Sequence, residues 1–210
     1  MVEFRILGPL EAVVDGRLLA LGGAKQRAVL ALLLLEAGRV VSTDRLMDAL
    51  WSGEPPPTAT ASLQNFIARL RQSLGAEAIE TRPPGYLMRI EAGQLDLATV
   101  RQLVDEARAS DPVSRARLLG DALALWRGEP LAELAYEAFA QGEIARLTEL
   151  RLTLEEERAE AELALGRHAE LVRDLEALVR ENPLRERLVI WSAFADADTA
   201  SRCIWDLYDA

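Results

Sequence analysis

The segment TATASLQNFIARLRQSLG, residues 58–75, carries the most informative chemistry in the chain. Leu63, Phe66, Ile67, Leu70 and Leu74 fall at helical spacing, so on an α-helix they form one apolar stripe that belongs in a core. At about 100° per residue the opposite face is centred on Asn65, Arg69 and Gln72, with Thr58 at its N-terminal end and Gln64 and Arg71 on its flanks. No acidic residue stands between Thr58 and Ala76. Amides and arginines without carboxylates are what a major-groove helix needs. Arg grips guanine O6 and N7 bidentately, Asn or Gln pairs with adenine, and hydroxyls or backbone N–H groups take phosphate. A plain solvated face is the competing reading of this helix taken alone.

Other chemistry finds little to work with. His168 is the only histidine and Cys203 the only cysteine, so neither a Cys/His zinc site nor an intrachain disulfide can be assembled. No G-x-S-x-G or Walker A motif accompanies them. Glu155-Glu156-Glu157, with Glu160 and Glu162, diverge around a helix and have Arg151 and Arg158 at i, i+3 or i+4, which makes a solvated face. The chain is therefore expected to be no enzyme, with no catalytic residue, no metal ligand and no cofactor. Its longest apolar run, residues 28–35, falls far short of the roughly 20 residues that cross a bilayer. Glu3 stands where a signal peptide needs basic residues. A cytoplasmic protein without a membrane partner is expected.

Elements must hold the reading face in place, and the 210 residues are enough for two domains. Half are hydrophobic and 28% are charged, which suits a folded chain. Residues 1–95 hold ten basic and ten acidic side chains; the remaining 14 basic and 24 acidic ones carry the whole net charge of −10. Such asymmetry is expected when one half meets a polyanion and the other meets protein or solvent. Residues 2–7 and 10–14 read as strands, and Asp15-Gly16 as a type I′ hairpin turn. A buried helix follows Gly22-Gly23 and stops at Gly38; Ser42-Thr43-Asp44 caps a short helix ending near Trp51. Beyond Glu54-Pro55-Pro56-Pro57, Thr58 or Thr60 caps the polar-faced helix. Residues 78–82 and 86–90 flank Pro83-Pro84-Gly85 as a second hairpin. From residue 95 onward helical periodicity takes over, with expected helices at 97–109, 113–126, 137–165 and 168–180.

Helix, short helix, connector, polar-faced helix and hairpin make a helix-turn-helix with a wing, which puts Arg82 at the wing. The blocks KQRAVLALLLLEAGRVVSTDRLMDALW, ASLQNFIARLRQSLG and IETRPPGYLMRI resemble the OmpR-type winged helix of the actinomycete antibiotic regulatory proteins, the SARP class. The stretch from ALALWRGEPLAEL to RENPLRERL is similar to the bacterial transcriptional activation domain of the same family. The resemblance covers residues 2–188. It implies a mainly α protein with small antiparallel sheets, having an OmpR-type winged helix at 1–94 and an all-α, tetratricopeptide-like domain at 95–210.

The resemblance also implies an activator of secondary-metabolite genes. Such a protein binds direct-repeat operators in double-stranded DNA as a homodimer and recruits RNA polymerase through its sigma factor, which places it on the nucleoid. Carried over by position, Asn65 and Arg69 face bases, Arg71 contacts the DNA backbone and Arg82 is the wing arginine. Trp51 packs against the sugar-phosphate chain or in the core, and Lys25 and Arg27 touch phosphate or solvent. From Val189 the chain departs from the family, with Trp191, Phe194 and Trp205 offering apolar surface and Cys203 a small filler. A helical-repeat scaffold with an idle winged helix, or a repressor with the same grip, are the other readings.

Overall fold

The computed structural model describes residues 2–193 and Ala195; Phe194, Cys203 and Trp205 lie outside them. The chain divides into two compact units, one of Met1–Arg101 with Leu125–Thr148, the other of Gln102–Ala124 with Glu149–Ala210. The expected division at 94/95 thus falls inside the first unit.

The first unit opens with strands β1 (Val2–Arg5), β2 (Glu11–Val14) and β3 (Arg17–Leu18), which form one antiparallel sheet in chain order. Asp15 and Gly16 turn the hairpin with φ of 48° and 77°, the pair of positive angles a type I′ turn requires. Helix α1 (Ala24–Leu35) has no polar face; residues 28–34 are buried throughout. Strand β4 (Val40–Ser42) comes next; at three residues it is too short to show an alternation in the sequence. Ser42 accepts the Arg45 N–H at 3.2 Å and so caps helix α2 (Thr43–Trp51), as expected. Helix α3 (Ala59–Leu74) buries Leu63, Ile67, Leu70 and Leu74 and packs on α1 and α2. Strands β5 (Ile79–Arg82) and β6 (Gly85–Met88) make the wing hairpin, and β4 joins it in the order β4-β6-β5.

Helix α4 (Asp96–Arg108) starts on a buried carboxylate. One oxygen of Asp96 accepts the N–H groups of Ile6 and Leu7 at 2.7 and 2.9 Å, and the other accepts that of Leu97 at 2.8 Å. Burial pushes this carboxyl up, and the backbone donors act against that. The segment from residue 125 wraps the same sheet: Arg127 N–H donates to the Leu7 carbonyl at 2.8 Å and Leu131 N–H to that of Gly8 at 2.7 Å. This ladder is why residues 125–148 belong with the N-terminal strands.

The second unit is helical. Pro112 opens α5 (Pro112–Leu123), where Asp111 caps the N–H groups of Val113 and Ser114. The remainder of α6 (Ala138–Ala164) folds back against α7 (His168–Glu181), with Arg158 reaching Asp174 at 3.1 Å, and residues 186–193 are again helical. Ala159, Leu171, Leu175, Leu188 and Ala195 are buried together, and Trp191 packs partly buried against them. The three successive glutamates fan out, but the expected solvated face is corrected: Glu156 is buried and held by Arg185 from beyond α7, while half-buried Glu155 lies 3.9 Å from Arg151 and half-buried Glu157 faces Arg115. Arg185 bonds buried Glu156 at 2.6 Å and exposed Glu149 at 2.6 Å.

Asp96→Ala would strand three buried N–H groups, and the expected cost is on the order of 3 kcal/mol, read from urea denaturation at neutral pH. Arg185→Met should cost a similar amount, about 3 kcal/mol, by isolating Glu156. Arg185 holds the Glu149 carboxyl below its usual range, so that contribution is present above the usual glutamate range and is lost as pH falls through the depressed value. An acid titration of stability should accordingly be flatter in the variant than in the parent.

Candidate nucleic-acid interface

Burial of its apolar stripe fixes which face α3 turns outward. Thr58, Gln64, Asn65, Arg69 and Gln72 are all exposed, on the side away from Leu63, Ile67 and Leu70. Thr58 holds the N-cap position, but its side chain makes no capping bond and only its carbonyl accepts the Ser62 N–H. Thr60 does not cap either; its hydroxyl lies 3.8 Å from the Met47 sulfur. The expectation of a threonine side-chain cap is thus corrected. Thr58 has φ −91° and ψ 3°, outside the extended region from which an N-cap side chain reaches forward.

The other expected contacts divide between site and scaffold. Lys25 donates to the Leu50 carbonyl at 2.6 Å and its ammonium lies 4.6 Å from the centroid of the half-buried Trp51 ring. These two residues therefore clamp the start of α1 to the end of α2. Arg27 leaves the site altogether: it donates to the Leu10 carbonyl at 2.9 Å and pairs with Glu133, beside the N-terminal sheet. Arg71 is also committed within the fold. Its Nε donates to the Ile79 carbonyl and its terminal nitrogen to the Thr81 hydroxyl, both at 2.8 Å, so it clips α3 to the wing. In each case an acceptor brought close by the tertiary fold has claimed a cation assigned to DNA.

Two further ties hold the wing. The Pro84 carbonyl accepts both the N–H and the hydroxyl of Thr43, at 3.1 Å each. Gly85 lies so close to β4 that a Cβ there would land on the Val41 carbonyl oxygen and 2.7 Å from the Ser42 Cα. Arg82 stands at the end of β5, half-exposed, and pairs with Glu80 at 3.2 Å. Glu80 also takes Arg89 at 2.7 Å, and the Arg89 hydrogen bond, with both arginine charges, holds its carboxyl below the usual range. Sequence reading missed Thr43, Glu80, Thr81 and Arg89. A period-two count along 78–82 would have set Glu80 and Arg82 on one face of a strand.

The electrostatic outcome is selective. Arg5, Arg27, Arg39, Arg45, Arg82 and Arg89 are each paired with a carboxylate. Lys25 and Arg71 are taken by the fold. Among the described residues of 2–94, Arg17 on β3 and Arg69 on α3 are the basic side chains with neither an ion pair nor a hydrogen bond. A polar helix face with one free guanidinium, beside a braced hairpin, is a geometry for grooved, anionic, hydrogen-bonding surfaces.

Residues 19–88 match the model of the family described as transcriptional regulatory protein, C terminal, and residues 95–201 that of the bacterial transcriptional activator domain. The regulatory protein AfsR of Streptomyces coelicolor is 43% identical over 192 residues, covering 89% of this chain and 19% of its own. The regulatory protein DnrI of Streptomyces peucetius is 35% identical over 209 residues, 92% of this chain and 76% of its own. A solved structure of Mycobacterium tuberculosis EmbR in complex with a low-affinity phosphopeptide superposes with a TM-score of 0.87 at 35% identity, over 92% of this chain and 54% of that one. The chain spans about a fifth of the length of the AfsR proteins it matches.

Gly85→Ala would force β6 away from β4. The expected loss is about 3 kcal/mol, with early amide exchange confined to residues 40–42 and 85–88 in hydrogen-exchange measurements.

Proposed function

Because the chain belongs to the actinomycete antibiotic regulatory protein family, with its OmpR-type winged helix and bacterial transcriptional activator domain, we propose that it is a sequence-specific DNA-binding activator of transcription. Helix α3 enters the major groove, where Arg69 takes a guanine edge and Asn65, with Gln64 or Gln72, takes adenine. Thr58 and the wing face the phosphates on either side. The observation that carries this reading is the exposure of Arg69 without any partner, in a segment whose other arginines on the wing and on α1–α3 are neutralised or tied into the fold. Most non-specific affinity comes from free cations meeting phosphate. A net-neutral segment with Arg69, one of its two free cations, on the base-reading face draws a larger share of its affinity from bases.

The family resemblance supports the rest: direct-repeat operators near secondary-metabolite genes, a homodimer on DNA, and recruitment of RNA polymerase with its sigma factor by the acidic helical unit. The action is on the nucleoid in the cytoplasm, and it is not enzymatic. Among the described residues no helix is long and apolar enough to cross a membrane.

Selection from a library of promoter-region DNA at two salt concentrations tests the proposal, with Arg69→Ala alongside. Spaced direct repeats should be enriched and should weaken with salt. The variant should lose about 1 to 3 kcal/mol and relax one base preference. Absence of enrichment at low salt would sink the DNA-binding reading in favour of a scaffold, and unchanged selectivity in the variant would sink the assignment of α3.

A further inference from the structure

The wing holds a cluster that the base-reading face does not use. Ile79 and Thr81 of β5 are the residues that Arg71 clips to α3, so Glu80 and Arg82 lie together on the strand's other face. Across the hairpin Glu80 pairs with Leu87 and Arg82 with Gly85, and the Arg89 N–H donates to the Ala78 carbonyl at 3.0 Å. That register continues Arg89 onto the face of Glu80 and Arg82. The Glu80 carboxylate accepts from Arg89 at 2.7 and 3.0 Å and from Arg82 at 3.2 Å. Both guanidinium side chains are more exposed, at 54% and 61%, than the carboxylate side chain between them at 30%. An oxyanion bridged by two outward-facing guanidiniums is the contact set that a phosphodiester receives from arginine.

We infer that Arg82 and Arg89 form a backbone-phosphate site on the wing, and that Glu80 fills the place of the phosphate in the free protein. The inference rests on the DNA-binding reading above and adds to it a contact residue, Arg89, and an internal competitor. Exposed ion pairs are individually weak, so a phosphate can displace the carboxylate. While the carboxylate stays, it cancels one of the two charges and repels DNA, which keeps the wing from adhering to any duplex. The exchange transfers two hydrogen-bonded cations from one oxyanion to another and forms no covalent bond.

Glu80→Gln keeps the size and removes the charge. Fluorescence anisotropy of the full chain on a random-sequence duplex, across a salt series, should show tightening of about three- to tenfold at low salt, with a salt slope steeper by about one to two units. Arg89→Ala placed on Glu80→Gln should return most of that gain, and circular dichroism melts establish that each variant is folded. A parent chain that binds, with a Glu80→Gln variant of the same affinity and slope, overturns the internal competitor. A gain that survives Arg89→Ala overturns the assignment of Arg89. A parent chain that binds no duplex at low salt overturns the DNA-binding reading itself, and this inference with it.

Discussion

A helix with no polar side must be covered all the way round, and α1 is such a helix. Val29, Leu30, Ala31 and Leu33 are wholly inaccessible. Helices α2 and α3 and strand β6 all pack against it, each turning its apolar residues inward. The outward face of α3 follows from that demand: once Leu63, Ile67 and Leu70 are committed to α1, Asn65 and Arg69 have only solvent to face. The reading face is thus placed by the core behind it. The clips at Lys25, Arg71 and Thr43 then fix the neighbours of α3 at its two ends.

Much of this was legible from local pattern. The Asp15-Gly16 turn, the Ser42 cap and the apolar stripe of α3 are all encoded within a few residues, where spacing and steric preference act directly. What local pattern could not supply was the partner of each charge. Arg27, Arg69 and Arg71 look alike in sequence, yet one meets Glu133, one meets a β-strand and one meets nothing, because the answer depends on residues up to 106 positions away. Asp96 is a comparable case. Nothing near it in sequence announces that it will receive the N–H groups of Ile6 and Leu7. Thr58 shows the opposite failure, a good capping residue whose backbone angles deny it the bond.

Charge is organised differently in the two halves. In the winged-helix part, carboxylates answer arginines from neighbouring elements, as Glu36 answers Arg45 and Glu80 answers Arg89, so most of its cations are neutralised, with Arg69 on α3 and Arg17 on β3 left free. In the helical part Arg117–Asp121 runs along a single helix while Arg158–Asp174 and Arg185–Glu156 tie separate helical segments, and the acidic excess of the sequence belongs to this half. One surface suits selective contact with a polyanion, and the other resists it.

The stitching of the N-terminal sheet has a consequence for how the chain comes into being. Ile6, Leu7 and Leu10 receive their hydrogen-bond partners from Asp96 and Glu133, at separations of 89 to 123 residues. A nascent chain emerging from the ribosome exposes this connector between β1 and β2 first, and must wait for most of the first unit's sequence before its amides are satisfied. The connector between β1 and β2 keeps unpaired amides in the interval. A fragment cut after the wing, at residue 94, would hold it in that unfinished state permanently. Expression of the reading module by itself therefore calls for a chain that continues through the 125–134 wrap.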